Sequence, residues 1–131
     1  MDYMFLIYAD EQMESTRTLA DSLKRRERGW AILDDARARG VFKAANPLYP
    51  TSAARTARPN HTSVSITDGP FAETKEALGG FWIIDCRDSD EAEYWASRLA
   101  QTGCGSAVEF RPIAALPLRL HQEEFAVLEH A

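Results

Sequence analysis

The sequence predicts an α+β fold: a ferredoxin-like β-α-β-β-α-β core with an added β-hairpin. Three observations lead there. Short apolar runs at Tyr3–Tyr8, Phe81–Cys86 and Ala107–Ile113 have the length and composition of strands. Between them lie two stretches with apolar residues at helical spacing, each closed by glycine. A β-branched run, Thr62 to Thr67, follows the turn signal Pro59-Asn60.

The elements follow in order. Tyr3 to Tyr8 is almost continuously apolar, as in a strand buried on both faces. Asp10 and Ser15 are both candidate N-caps for the helix behind it. That helix is expected from about Ser15 to Arg39, with Leu19, Leu23, Trp30 and Leu33 on its buried stripe and Gly40 as its stop. Gly29, inside it, weakens it. Val41 to Ala45 reads as a second strand, after which Asn46-Pro47 and Tyr49-Pro50 break regular structure. Ala54–Arg58 and Thr62–Thr67 pair as a hairpin around Asn60. Val64 and Ile66 fall on one face of it, expected to be buried, and Ser63, Ser65 and Thr67 on a wet one. Asp88 with Glu91 resembles a capping box before a helix over Ser89–Gln101. That helix places Ala92, Trp95, Ala96 and Leu99 on one face, and Gly103 and Gly105 end it. In the last strand Val108 and Phe110 share one face, Glu109 and Arg111 the other. Helices on one side leave the sheet's second face open, so a homodimer is the default expectation.

The bulk numbers narrow the function classes. The chain of 131 residues is 45% hydrophobic and 27% charged, which suits one soluble domain. We expect that domain over residues 1–115 and a C-terminal tail over 116–131 with the makings of a short helix. The net charge of −5 argues against direct nucleic-acid binding, which needs a basic footprint. Lys24-Arg25-Arg26-Glu27-Arg28 puts four positive charges in five residues, and reads first as a solvated helix face. No apolar run is long enough for a bilayer span, and the N-terminus reads as a strand without a basic leader, so a cytoplasmic protein without a membrane segment is expected. Cys86 and Cys104 form no CxxC motif and read as reduced thiols. His121 and His130 lack metal-pair spacing, Gly79-Gly80 lacks phosphate-loop context, and no cofactor or metal is expected.

The most specific run is Thr67-Asp68-Gly69-Pro70-Phe71-Ala72-Glu73-Thr74-Lys75-Glu76. Asp68 before glycine can close an Asx-turn, Gly69 permits unusual backbone angles, and Pro70 fixes its own φ. Alternatively, Asp68 faces a cleft. Beside Phe71, Phe81 and Trp82 a carboxylate can become a general base, while Lys75 can hold it ionised. Tyr8, at the end of the first strand, and Arg58, before the hairpin turn, are the other pocket candidates. The candidate set is therefore Asp68 as acid/base, with Tyr8, Arg58, Phe71 and Lys75 as ligand-binding residues.

These residues, with Tyr3–Tyr8, Leu78–Asp85, Asp90-Glu91-Ala92, Trp95-Ala96 and Val108–Pro112, resemble the YCII-related family in its DGPF branch. The resemblance spans about residues 1 to 113 and implies a ferredoxin-like fold in a dimeric α/β-barrel arrangement. It implies little about activity: the motif and its aromatic neighbours suggest a small-molecule ligand near Asp68, and relatives that lie beside or are fused to extracytoplasmic-function sigma factors suggest a regulatory or interaction module as the alternative. Relatives have been proposed as enzymes because a histidine and an aspartate meet in a cleft. The aspartate corresponds to Asp68. The histidine's neighbourhood is Arg28-Gly29-Trp30 here, and the first helix has no histidine. His61, at the hairpin turn, is the only histidine near Asp68 in sequence, and it is not at the family position.

Overall fold

A computed structural model of the chain describes residues 1–105 and 107–115; the expected tail over 116–131 lies outside them. The strand β1 (Asp2–Ala9) is the sheet's centre. It pairs antiparallel with β5 (Ala77–Asp85) on one side and β6 (Ala107–Pro112) on the other. The strand β2 (Phe42–Pro47) pairs antiparallel with the far edge of β5, giving the order β2-β5-β1-β6. With the hairpin set aside, these are the second, third, first and fourth core strands, which is the ferredoxin-like order.

Helices cover one face of the sheet. Tyr3, Phe5 and Ile84 pack against Trp95, Ala96 and Leu99 of α3 (Ser89–Ala100) and against Ile32 and Ala36 of α2 (Leu19–Ala38). Phe5, Ile84 and Trp95 are fully enclosed, each contributing roughly 1.5–3 kcal/mol. Phe110 stacks on Phe5 with ring centroids 5.9 Å apart, so β6 carries the core to the sheet's edge. The register Phe5↔Trp82 and Tyr3↔Ile84 sends the alternate residues Met4, Leu6, Phe81 and Ile83 to the opposite face. No helix of the described residues covers that face.

The first helix differs from expectation in two ways. It is two helices, α1 (Glu11–Ser15) and α2, broken at Thr16-Arg17-Thr18. Asp10 caps α1, accepting from the backbone N–H of Gln12 at 3.0 Å. Thr18, not Ser15, caps α2 through an acceptor contact from Asp21 N–H at 3.1 Å. The buried stripe is also rotated. Leu19, Leu23 and Trp30 are exposed, whereas Ile32 and Ala36 are buried, with Ser22, Arg25 and Gly29 turned partly inward. Tertiary contacts set this rotation: Arg28 donates to the Thr102 carbonyl at 3.4 Å, and Asp35 binds Arg98 of α3. The helix ends as expected, in a Schellman motif around Gly40 at φ 72°, with Val41 N–H donating to Ala36 O at 3.0 Å.

The hairpin of β3 (Arg55–Asn60) and β4 (Ser63–Asp68) forms where the sequence places it, turning at His61, whose φ is 44°. Its burial is not as expected. Val64 is 62% exposed and Ile66 52%, because the hairpin forms a separate two-stranded sheet and no element of the described chain lies over it.

Two outcomes follow from the α2–α3 contact and from the core. Asp35 is held below the ordinary carboxylate range, first by its hydrogen bond to Arg98 and then by Arg39 at 2.9 Å. Both guanidiniums also lie over the rings of Tyr94 and Trp95. A carboxyl depressed in the folded state stabilises fully above its unfolded pKa and loses that contribution as pH falls through the folded value. Asp35→Asn should therefore lower the melting temperature near neutral pH and flatten its decline below about pH 4, measured by thermal melts across the acid range. Separately, the Cys86 thiol is enclosed, and burial pushes its pKa up to about 11. Native protein should release one thiol to a disulfide reagent, from exposed Cys104, and the second only on unfolding.

Candidate functional site

The run from Asp68 to Phe71 is held by the hairpin, and Thr74 Oγ1 closes the loop's far end by donating to Glu76 O at 2.6 Å. Gly69 N–H donates to Ala54 O at 2.7 Å, and Thr56 Oγ1 donates back to Gly69 O at 2.7 Å. Arg58 donates to Phe71 O at 2.8 Å and to Thr67 Oγ1 at 3.3 Å. Gly69 sits at φ 96°, which a side chain resists. Among the described residues the Asp68 carboxylate takes no hydrogen bond from its own loop, so the expected Asx-turn is replaced by these cross-strand contacts. Asp68 instead faces Arg55, its register partner, in an ion pair of 3.4 Å, and its side chain is 95% exposed.

Beyond the loop lies a cleft of ≈ 450 Å³. One wall is Pro70 and Ala72 to Lys75, and the other is Asp10, Glu11 and Gln12 at the start of α1. Glu11 ties the start of α1 to the Thr51–Ala53 turn, whose Thr51 also lines the cleft, by accepting from Thr51 N–H at 2.8 Å and from Thr51 Oγ1 at 2.7 Å. Asp10 is committed to its cap. Gln12, Glu73 and Lys75 remain to meet a ligand, and Lys75 is the one cation in the lining.

The five candidates therefore separate. Lys75 lines the cleft; Asp68, Tyr8, Arg58 and Phe71 do not line it. Arg58 shapes the loop. Phe71 is 79% exposed and anchors nothing in the described core. The Tyr8 hydroxyl approaches Glu109 at 3.5 Å, on the open face of the sheet. Trp82 belongs to the other, helix-covered side and packs on Phe42 with centroids 6.0 Å apart. His61 and Asp68 sit at opposite ends of β4, about 20 Å apart for an extended strand, so His61 does not partner Asp68 within one chain. Glu11 and Thr51 carry no sequence signal as a pair; forty residues separate them and only the folded chain joins them.

A second depression, of ≈ 290 Å³, lies between α2 and the sheet. Gly29 and Trp30 line it, together with Leu33, Trp82 and Leu99. Among the described residues no group of three or more His, Cys, Asp or Glu could hold a metal ion, and no helix is long and apolar enough to cross a membrane.

The model of the YCII-related domain matches residues 1–114. This chain belongs to the YCII-related family. An uncharacterised protein of Rhizobium meliloti (strain 1021) is 35% identical to this YCII-related domain over 115 residues, covering 87% of this chain and 93% of that protein. Among solved structures, 5-chloro-2-hydroxyhydroquinone dehydrochlorinase of Burkholderia phenoliruptrix AC1100, in complex with 2,5-dihydroxybenzoquinone, aligns over 87% of this chain and 94% of its own. The TM-score is 0.44 and the identity 14%.

Gly69 offers a direct check on how this YCII-related loop is held. No atom lies within 4 Å of a Cβ built there, so Gly69→Ala isolates the backbone strain. It should lower the unfolding free energy by about 1–2 kcal/mol in urea titrations.

Proposed function

We propose that this YCII-related protein, of the DGPF branch, is a cytoplasmic small-molecule-binding homodimer. The ligand sits in the cleft beside the 70–75 loop, and Asp68, which lies outside that lining in one chain, is the acid/base where a second copy's packing brings it against the ligand. The observation that carries this reading is the coincidence of motif and cleft: the run that marks the branch also builds one wall, and the Glu11–Thr51 hydrogen bonds fix the side opposite it. The uncommitted Gln12, Glu73 and Lys75 suit a small polar molecule bearing an anionic group and a hydrogen-bond donor. A carboxylate in open water gains no tuning from its surroundings, so Asp68 needs a cover. The second copy supplies it. An isolated two-stranded hairpin is marginal, and this one exposes Val64 and Ile66 beside Asp68. The sheet's open face, with Met4, Leu6, Phe81 and Ile83, is the matching apolar surface on the same molecule.

The alternative, an interaction module serving a sigma factor, draws on the basic run. In the structure Arg25 turns partly inward and Arg28 bonds the Thr102 carbonyl, so half of that run serves the fold. The cleft therefore favours the small-molecule reading.

A thermal-shift screen of small polar acids and amino acids separates the two. At least one compound should raise the melting temperature of the wild type and fail to do so with Lys75→Gln. Asp68→Asn should bind the same compound but not convert it. Because Asp68 makes one exposed ion pair, its loss should change stability by no more than about 0.5 kcal/mol. A screen without hits, or equal binding by Lys75→Gln, would remove the loop cleft as the site.

A further inference from the structure

We propose, resting on the small-molecule reading of the loop cleft, that its occupant is a free amino acid with an apolar side chain: the carboxylate binds Lys75 and the ammonium binds Glu73.

Two opposite charges face this cleft without meeting. Glu73 and Lys75 both line it, and they stand two residues apart in one loop. Neither takes part in an ion pair among the described residues. The residue between them is committed, because Thr74 Oγ1 donates to Glu76 O at 2.6 Å. A molecule carrying both charges can bridge the two side chains with a charge-assisted hydrogen bond at each end.

The rest of the lining rules against a simple anion. Asp10 accepts from the backbone N–H groups of Gln12 and Met13. Glu11 accepts from the Thr51 N–H and hydroxyl. All of these donors are neutral, so they satisfy the oxygens and leave both negative charges standing. Asp10, Glu11 and Glu73 therefore set three carboxylates against the single ammonium of Lys75. A plain carboxylic acid meets one attractive charge and three repulsive ones. A plain amine meets the reverse but leaves Lys75 without a counterion. A zwitterion satisfies both ends, and Pro70, Ala72 and Ala77 give its side chain an apolar patch.

The test titrates the whole chain with L-leucine in a calorimeter at low ionic strength. Two analogues each lack one charge: 4-methylpentanoate lacks the amine and 3-methylbutylamine lacks the carboxylate. L-leucine should bind saturably, with both analogues at least about tenfold weaker and the amine the tighter of the two. Because screening shortens to about 3 Å at 1 M salt, that concentration should weaken L-leucine. Glu73→Gln should cut the preference for L-leucine over 4-methylpentanoate at least about fivefold, and Lys75→Gln the preference over 3-methylbutylamine by a similar factor. Both residues lie exposed in a loop, so both variants should keep the wild-type circular dichroism. Binding of 4-methylpentanoate as tight as that of L-leucine, abolished by Lys75→Gln, would overturn the amino-acid assignment and leave the loop cleft as the ligand site. L-leucine binding unaltered by both substitutions would remove the assignment and the cleft together. No saturable heat with L-leucine would overturn the assignment alone, since the wider compound screen tests the cleft.

Discussion

The sheet has two apolar faces, and the described chain has helices for only one. On the covered face Phe5, Ile84 and Trp95 close the core, and α2 and α3 are locked over it by Asp35, Arg39 and Arg98. On the other face Met4, Leu6, Phe81 and Ile83 stand opposite one another across β1 and β5. The hairpin that carries Asp68 leaves the sheet altogether, and its β-branched residues face outward. In the proposed dimer, a second copy laid on the open face would give those residues, and Asp68, the low-dielectric surroundings that one chain does not provide.

The two depressions follow from different causes. The loop cleft is made by polar contacts: Asp10 caps α1, Glu11 holds Thr51, and the hairpin clamps Gly69 and Phe71. Its walls are therefore set by hydrogen bonds and its chemistry is mixed. The helix–sheet depression is lined by Gly29 of α2 and by Ala45 and Gly80 of the sheet. Its walls are apolar and its single charge is Arg26.

The strands and the second long helix were legible because their signals are local. Tyr3–Tyr8, Phe81–Cys86 and the Ala92, Trp95, Ala96, Leu99 face all depend on periodicity, and the ferredoxin-like order followed from them. The rotation of α2 was not legible. Leu19, Leu23, Trp30 and Leu33 make the more hydrophobic stripe, yet Ile32 and Ala36 are buried, because Arg28 and Asp35 tie the helix to α3 across more than sixty residues of sequence. The break at Thr16–Thr18 was hidden because Ser15 is the better intrinsic N-cap, yet Thr18 caps α2. The Asp68 run was legible as a turn, and Gly69 confirms its positive φ. Its carboxylate's partner was not, because Arg55 is set by strand register rather than by proximity in sequence. For the helix–sheet depression, the one available signal was Gly29, a glycine where a helix prefers none.

The claim that a second copy completes this domain is tested most directly by sedimentation equilibrium together with hydrogen exchange of the β3–β4 amides. The expected result is a mass of twice the 14.7 kDa chain, with protection around Val64 and Ile66 that rises with protein concentration through the dimerisation range. A monomer at every concentration, with hairpin amides that exchange freely throughout, would contradict it.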